Sequence, residues 1–232
     1  MPSSRFTIPV QNAKIPEVSA VFDAPTSPER KSAILLAHGA GFSMDAPWMQ
    51  TVASGLAQRG FMVLRFNYPY RERAVREERQ RPPDKAEILE HAHTRALRAL
   101  EERIGEHRIL LAGKSMGGRM ATHLAAKGEN AAGLVLLGYP LHPPGRQEKV
   151  RSEHFPAIAQ PALFLQGTRD KLCDLELLQE KLTSFGGTAT VEIIDGADHS
   201  FHVPKSSGRT DAEVLESMLD RIATWEGETF PE

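Results

Sequence analysis

Short runs of apolar residues alternate along this chain with longer stretches in which apolar residues recur at helical spacing. The apolar runs lie at 33–38, 61–66, 108–113, 133–138, 162–167 and 190–195. The helical patterns cover about 46–59, 84–103, 115–127, 174–184 and 210–225. Runs that are apolar throughout are typical of strands buried on both faces of a parallel sheet. Strand and helix in regular alternation therefore predict a doubly wound α/β domain.

The N-terminal segment and two interruptions of the alternation bear on the number of strands and of domains. Weaker strand candidates at about 5–9 and 17–22 are suited to an antiparallel edge of the sheet. Two stretches, 71–84 and 139–161, break the alternation, and neither is long enough to form a second domain. We find no internal repeat and no Gly/Ser-rich linker. We therefore predict one domain over residues 1–232, with a mostly parallel sheet of about seven or eight strands flanked by helices.

The composition narrows the function classes without naming one. The chain has 232 residues and a formal net charge of −2, which gives no reason to expect binding to nucleic acid or to a membrane. Its one cysteine, Cys173, excludes an internal disulfide framework and is typical of a reducing cytosol. The N-terminus lacks the apolar stretch of a secretion signal, and no apolar run approaches the roughly 20 residues of a membrane span. We therefore expect a cytoplasmic protein.

A serine flanked by glycines interrupts the apolar pattern where a predicted strand meets a predicted helix. Residues 113–117 read Gly-Lys-Ser-Met-Gly, which is a G-x-S-x-G pattern. In that context it indicates a strained turn that presents the serine hydroxyl at the edge of the sheet, with glycines where a Cβ atom would clash. The free N–H groups at the start of the helix would face a developing oxyanion. The alternative is that Ser115 only caps the helix, as serine often does.

A serine hydroxyl becomes a strong nucleophile when a base removes its proton and an acid orients that base. His199 follows the last predicted strand directly, and Asp170 follows the preceding one. Ligands of a doubly wound sheet bind beyond the carboxyl ends of its strands, so these side chains are expected to meet there. We therefore predict Ser115 as nucleophile, His199 as base and Asp170 as orienting acid.

Other residues near these positions are alternatives for the same roles. His202 lies just beyond His199, deeper in the loop. Asp198 adjoins His199, and Asp195 stands at the end of the last predicted strand. Asp174 reads instead as the N-cap of the next helix. The histidines on predicted helices or at a strand entry, where packed or solvated roles are more common, are His91, His93, His107 and His123.

A tetrahedral intermediate on the serine needs two backbone N–H donors. One is expected from Met116, directly after the serine. The other is expected from the loop after the run at 33–38, where His-Gly-Ala-Gly-Phe-Ser follows. Ala40 is the predicted donor, with Gly41 and Phe42 as alternatives. A tight turn without a catalytic role is the other interpretation of this segment.

Four segments together resemble the α/β-hydrolase superfamily. They are LLAHGAG at 35–41, LAGKSMGGRMA at 111–121, LFLQGTRD at 163–170 and GADHSF at 196–201. They are similar to its oxyanion loop, nucleophile elbow, acid loop and histidine loop, and the chain order of serine, aspartate and histidine also matches. The similarity covers about residue 30 to the end of the chain. It implies an α/β-hydrolase fold without a cap domain, a serine hydrolase mechanism, and no cofactor or metal.

Within the superfamily, the chain is most similar to small, lidless hydrolases loosely grouped with dienelactone hydrolases. Dienelactone hydrolases proper carry cysteine at the elbow, whereas this chain has serine, which favours an esterase-like activity over lactone chemistry. The expected partner is a small-molecule substrate with an ester, thioester or amide bond. An acyltransferase would use the same residues, and a non-catalytic interaction module on the same fold is a further alternative. The sequence indicates no oligomeric state.

The two irregular stretches bear on the choice of substrate. The interval 139–161 is too short for a cap domain, so we expect an open site. Residues 65–81 contain six arginines against three glutamates. Arg71 and Arg73 are therefore candidates, with Gly41 and Phe42, for contacts to a substrate that carries negative charge. A solvated helix with weak Arg–Glu pairs is the alternative, and it is the more common outcome for such a run of charges.

Overall fold

The computed structural model describes residues 3–12, 14–25 and 30–231. Within them, eight strands form one sheet, and six helices flank it. The strands are β1 (Ser3–Pro9), β2 (Glu17–Asp23), β3 (Ser32–Ala37), β4 (Met62–Phe66), β5 (Arg108–Lys114), β6 (Gly133–Leu137), β7 (Ala162–Gly167) and β8 (Ala189–Ile194). The helices are α1 (Pro47–Gln58), α2 (Pro69–Arg76), α3 (Ala86–Ile104), α4 (Met116–Ala126), α5 (Leu175–Leu182) and α6 (Asp211–Thr229). Each apolar run forms a strand, and each helical pattern forms a helix.

The sheet is mostly parallel, and its order is β1-β2-β4-β3-β5-β6-β7-β8. β1 pairs with β2, and β2 with β4, in antiparallel register, while the other strands pair in parallel. The antiparallel edge expected from the two weaker strand candidates is therefore confirmed. From β3 the chain goes to β4 on one side and later to β5 on the other, so the strand order reverses there. Ligands bind at the carboxyl ends of strands beside such a reversal.

Alternate side chains of the central strands enter two separate hydrophobic layers. On β5, Ile109 and Leu111 pack in the layer formed with α3 and α4, whereas Leu110 and Ala112 pack in the layer formed with α1 and α6. All four are buried, because a parallel strand covered by helices on both faces turns no side chain to water. This packing fixes the register of the strands and hence the positions of the loops at their carboxyl ends.

Helix α2 lies where the periodicity predicts an irregular stretch, residues 71–84, and that prediction is wrong for its first part. The sequence does contain one local signal for this helix, which is Pro69 in its first turn. A backbone N–H at that position has no acceptor within the helix, so proline, which lacks the N–H, costs no hydrogen bond there. Tyr70 and Ala74 are buried while Val75 is exposed. Only one narrow face of α2 therefore packs against the rest of the protein. The other positions are mostly charged, so the helical spacing of its few buried residues is hard to recognise in the sequence.

The other interruption, residues 139–161, contains one regular element, a 3-10 turn at Phe155–Ala157. Hydrogen bonds tie this stretch to the loop after β7. The backbone N–H of His142 donates to the carbonyl of Leu172 at 3.0 Å, and the backbone N–H of Asp174 donates to His142 Nε2 at 2.9 Å. No separate cap domain covers the described part of the chain, and no helix in it is long and apolar enough to cross a bilayer.

Candidate active site

The turn between β5 and α4 holds Ser115 in a backbone conformation that non-glycine residues rarely adopt. Its φ is 50° and its ψ is −113°, and such strain costs about 1–3 kcal/mol. Glycines on both sides make the turn possible. A Cβ atom on Gly113 would lie 2.3 Å from the backbone carbon of Gly117, and one on Gly117 would lie 2.4 Å from the carbonyl oxygen of Ala37. The end of β3 and the start of α4 therefore meet beside the serine.

Gly117→Ala is expected to lower the free energy of unfolding by about 3 kcal/mol or more, because the added methyl group collides with the backbone of β3. Gly227→Ala in α6 is the matched control. A Cβ atom there meets nothing within 4 Å, and alanine favours a helix over glycine by about 0.5–1 kcal/mol. Urea unfolding of both variants measures the difference. Equal unfolding free energies would contradict the close approach at Gly117.

Ser115, His199 and Asp170 form a continuous hydrogen-bonded line. His199 Nε2 lies 2.9 Å from Ser115 Oγ, and His199 Nδ1 lies 2.7 Å from Asp170 Oδ2. The ionised carboxylate only accepts hydrogen bonds, so the ring proton of the neutral imidazole belongs on Nδ1 and Nε2 is left to accept from the serine hydroxyl. The three residues come from the loops after β5, β7 and β8, which end at the same edge of the sheet.

The carboxylate of Asp170 is completely buried and held from several sides. Besides His199, it accepts from Gln166 Nε2 at 2.6 Å and, through Oδ1, from the backbone N–H of Leu172 at 2.8 Å. Gln166 in turn accepts from the backbone N–H of Tyr139 at 2.9 Å. Gln166 is not among the site residues predicted from the sequence. The signal available was a polar residue in an otherwise apolar strand, just before the acid loop.

The alternative acids and base have other hydrogen-bond partners. Asp198 Oδ1 accepts backbone N–H groups of its own loop, at 2.7 and 3.0 Å. His202 Nδ1 lies 2.8 Å from Asp211 Oδ2 on the exposed surface. Asp195 Oδ1 lies 3.3 Å from the hydroxyl of Thr168. Among the described residues, none of these three candidate side chains is hydrogen-bonded to Ser115 or to the ring of His199.

The interpretation of Ser115 as a plain helix cap is wrong. Ser115 occupies the N-cap position of α4, but its side chain makes no capping hydrogen bond. Asp174, by contrast, accepts the backbone N–H of Leu177 at 2.9 Å and caps α5, as its position in the sequence predicts.

A buried histidine and two tyrosines hold the loop after β3. His38 Nε2 accepts the backbone N–H of Tyr68 at 3.1 Å, and His38 Nδ1 lies 2.8 Å from the carbonyl oxygen of Gly39. Burial lowers the pKa of His38 to about 4, so the ring is neutral at physiological pH. The hydroxyl of Tyr70 donates to the carbonyl of Ala40 at 2.8 Å. In a trans peptide the N–H points opposite to the C=O, so the N–H groups of these peptide units point away from the tyrosine and histidine.

The candidate N–H donors differ in availability. Within the described residues, the N–H groups of Ala40, Gly41 and Met116 have no hydrogen-bond acceptor. The N–H of Phe42 donates to the carbonyl of Gly39 at 3.1 Å, which removes Phe42 from the candidate donors. A Cβ atom on Gly39 would lie 3.6 Å from the Cβ of the serine. The loop therefore lies against the serine turn.

The ring of Phe42 belongs to a row of three aromatic side chains. Its centroid lies 6.3 Å from that of Trp48, which lies 6.2 Å from that of Phe201, just beyond His199. Phe42 and Trp48 are half-buried. The row connects the loop after β3 with the loop that carries the histidine.

The arginines of this region differ in their surroundings. Arg73 pairs with Asp84, whose side chain is nearly buried, so its charge is balanced within the protein. Arg71 has a buried Nε without a hydrogen-bond partner, and its Nη1 lies 3.5 Å from Gln80. Arg119, one helical turn after the serine, also has a buried Nε without a partner. Within the described residues, neither Arg71 nor Arg119 forms an ion pair.

A mostly parallel sheet with this order, and a nucleophile-type turn after β5, define the class of α/β hydrolases. A family model described as an alpha/beta hydrolase domain matches residues 30–227. The chain belongs to this family, and the fold predicted from the four sequence segments is confirmed.

Solved structures with a similar fold include one that is described as having no lid. An α/β serine hydrolase homologue from Coxiella burnetii aligns with a TM-score of 0.73 at 22% identity, covering 96% of this chain and 98% of that chain. A dienelactone hydrolase from Anabaena variabilis aligns at 0.74 and 20% identity, covering 98% and 99%. An α/β serine hydrolase without lid from Xanthomonas campestris aligns at 0.70 and 19% identity, covering 97% and 96%. At these identities the likeness concerns the fold.

Proposed function

We propose that the protein is a serine hydrolase that cleaves a small ester, thioester or amide through an acyl-enzyme on Ser115. The observation that carries this proposal is the hydrogen-bonded line from the strained serine through His199 to the buried Asp170. A turn with a purely structural role has no need for a strained serine facing an oriented imidazole. Serine hydrolases among the proteins with a similar fold support the same reaction class.

In the proposed reaction, His199 Nε2 accepts the hydroxyl proton of Ser115 as Oγ attacks the carbonyl carbon of the substrate. Asp170 stays ionised and stabilises the imidazolium through Nδ1. When the tetrahedral intermediate collapses, His199 gives its proton to the leaving group, and the acyl group remains on Ser115. The same histidine then accepts a proton from a water molecule that attacks the acyl carbonyl, and it returns this proton to Ser115 Oγ as the bond between Oγ and the acyl group breaks.

We propose Met116 and Ala40 as the N–H donors to the tetrahedral oxyanion. Met116 is the first residue of α4, where backbone N–H groups have no partner within the helix and the helix dipole favours negative charge. The N–H of Ala40 belongs to the same peptide unit as the carbonyl of Gly39, which faces His38. This N–H therefore points away from His38. Gly41, the next peptide along, is the alternative donor.

A fluorophosphonate probe tests the nucleophile without an assumption about the substrate. We expect one adduct per chain, located on Ser115 by peptide mass spectrometry, because this hydroxyl faces an imidazole that a carboxylate orients. Thr122 is an internal control, since its hydroxyl lies 2.8 Å from His154 Nε2 but is buried. It should remain unlabelled. A folded protein that takes no label, or takes it elsewhere, would refute the proposal.

The uncovered site is expected to prefer short acyl chains. An acyl chain on an open surface stays partly in water, so each added methylene returns less than the roughly 0.8 kcal/mol of full burial. We expect kcat/KM for p-nitrophenyl esters to peak at about two to six carbons, without activation at a lipid–water interface. Rates that keep rising to about twelve carbons would contradict the open site.

Arg71 and Arg119 support a preference for a substrate with negative charge. We expect the p-nitrophenyl monoester of a short dicarboxylic acid to exceed its neutral analogue in kcat/KM by about tenfold. Added salt, Arg71→Gln or Arg119→Gln should reduce this gain. Arg79→Gln is the control, because Arg79 is an exposed charge of the same stretch. Equal kcat/KM for the two wild-type reactions would mean that neither arginine acts on the charge of the substrate.

A further inference from the structure

Lys114, the residue before the nucleophile, is buried without a partner. It is 2% exposed, and its Nζ has no hydrogen-bond partner among the described residues. Burying an unpaired ammonium group costs several kcal/mol. The ring of Phe201, with its centroid 5.5 Å from the Nζ, compensates part of that cost. The proposed reaction does not use this amine.

The alternation of side chains along β5 directs Lys114 to the face of the sheet that carries α1 and α6, close to the loop of His199. Lys114 shares the strand face of Leu110 and Ala112, which is directed toward α1 and α6. Gly138 lies between the two side chains. A Cβ atom on Gly138 would lie 3.1 Å from the Nζ of Lys114 and 3.5 Å from Nδ1 of His199. These two nitrogens are therefore at most about 7 Å apart. The amine therefore lies close to the His199 nitrogen that binds the acid.

Two loops supply the charged groups that face the amine. Asp170, after β7, and Asp198, after β8, favour the ammonium form, but burial opposes it more strongly and lowers the pKa of Lys114 to about 8. His199 is the third titratable group at this position. At neutral pH, Lys114 is therefore mostly protonated, a positive charge without an ion-pair partner in the described part of the chain.

We propose that Lys114 is a positioning residue whose buried ammonium opposes protonation of His199 and so sets the lower pH limit of activity. The inference rests on the proposed function of Ser115 and His199 and gives Lys114 no contact with substrate. A positive charge in a poorly solvated site disfavours a second positive charge nearby. The imidazole therefore stays neutral, and able to accept the serine proton, at a lower pH than it would without the lysine.

Lys114→Met tests this role, since methionine has a similar length and no charge. The measurement is the rate of fluorophosphonate labelling of Ser115 as a function of pH. We expect the midpoint of the acid limb to move upward by about one pH unit, with no loss of rate on the plateau above it. Lys181→Met on α5, which removes a surface lysine paired with Glu180, is the matched control and should leave the midpoint in place. An unchanged midpoint in Lys114→Met would overturn the proposal.

Stability distinguishes this role from a packing role. The pKa of Lys114 is about 8 in the folded protein and about 10.4 when unfolded, so the unfolded chain binds more protons between these values. The stability contributed by Lys114 therefore rises with pH in that window. Lys114→Met should be at least as stable as the wild type at pH 7, and its advantage should shrink toward pH 10. A less stable variant with an unchanged midpoint would mean that the side chain only packs.

Two further variants complete the test. Lys114→Arg keeps the charge and should keep the low midpoint, whereas Lys114→Gln removes it and should behave like Lys114→Met. Wild-type protein that takes no label would refute the proposed function and this inference together. Labelling with the same pH profile in all variants would refute the role of Lys114 alone.

Discussion

Ser115→Ala is expected to lower kcat by about a million-fold for any ester that the wild-type protein hydrolyses. The variant retains the N–H donors and the binding surface, but it has no oxygen to form the acyl-enzyme. If the variant still hydrolyses the ester about a thousandfold faster than the uncatalysed reaction in water, those remaining groups account for the acceleration. The measurement is steady-state hydrolysis of a short p-nitrophenyl ester, with intact-mass detection of the acyl-enzyme in the wild type only.

Ser200→Ala is the matched control, because Ser200 is exposed in the same loop as His199. Its bond to the loop uses the backbone N–H, which alanine retains. Both variants should unfold at the wild-type temperature, since neither hydroxyl supports the core. A Ser115→Ala protein with more than about a thousandth of the wild-type kcat would show that another group is the nucleophile.

Asp170→Asn is expected to lower kcat by about ten-thousandfold. An amide that donates to His199 Nδ1 would force the ring proton onto Nε2, the atom that must accept from the serine. An amide turned the other way would place its NH₂ at the Oδ1 position, against the backbone N–H of Leu172, which now donates to Asp170 Oδ1 at 2.8 Å. Each orientation therefore sets two hydrogen-bond donors against each other beside the imidazole, the amide against Gln166 in the first and against Leu172 in the second, although the fold has no reason to change.

Asp198→Asn and Asp195→Asn are the controls for the acid, since both carboxylates lie in the histidine loop and bind other groups. We expect each to retain kcat within about tenfold of the wild type. The assay is the same ester hydrolysis, with circular dichroism to verify folding. If Asp198→Asn were as damaging as Asp170→Asn, the orienting acid would be Asp198.

Local sequence determined the sheet, most of the helices and the serine turn. A strand buried on both faces must be apolar along its whole length, so runs such as 108–113 identify themselves. The turn at 113–117 is equally local, because its glycines are required by contacts within a few residues and by the neighbouring strand end. Asp170 and His199 could be selected because each directly follows such a run, and parallel strands end at one edge.

Only the tertiary structure decided what surrounds those residues. Gln166 is one polar residue in an apolar strand until the fold brings it to Asp170 and to the backbone of Tyr139. Arg71 and Arg73 are equivalent in sequence, but only Arg73 is paired with a nearly buried carboxylate.

Hydrophobic periodicity reports which face of a segment is buried, and turn chemistry reports the local backbone. Neither reports which distant group will face a given side chain. Lys114 belongs to the serine motif in the sequence, yet its burial close to His199 depends on how the end of β6 and the loop after β8 pack against it. Electrostatic partners are set by distances between segments far apart in the chain, and those distances exist only once the chain has folded.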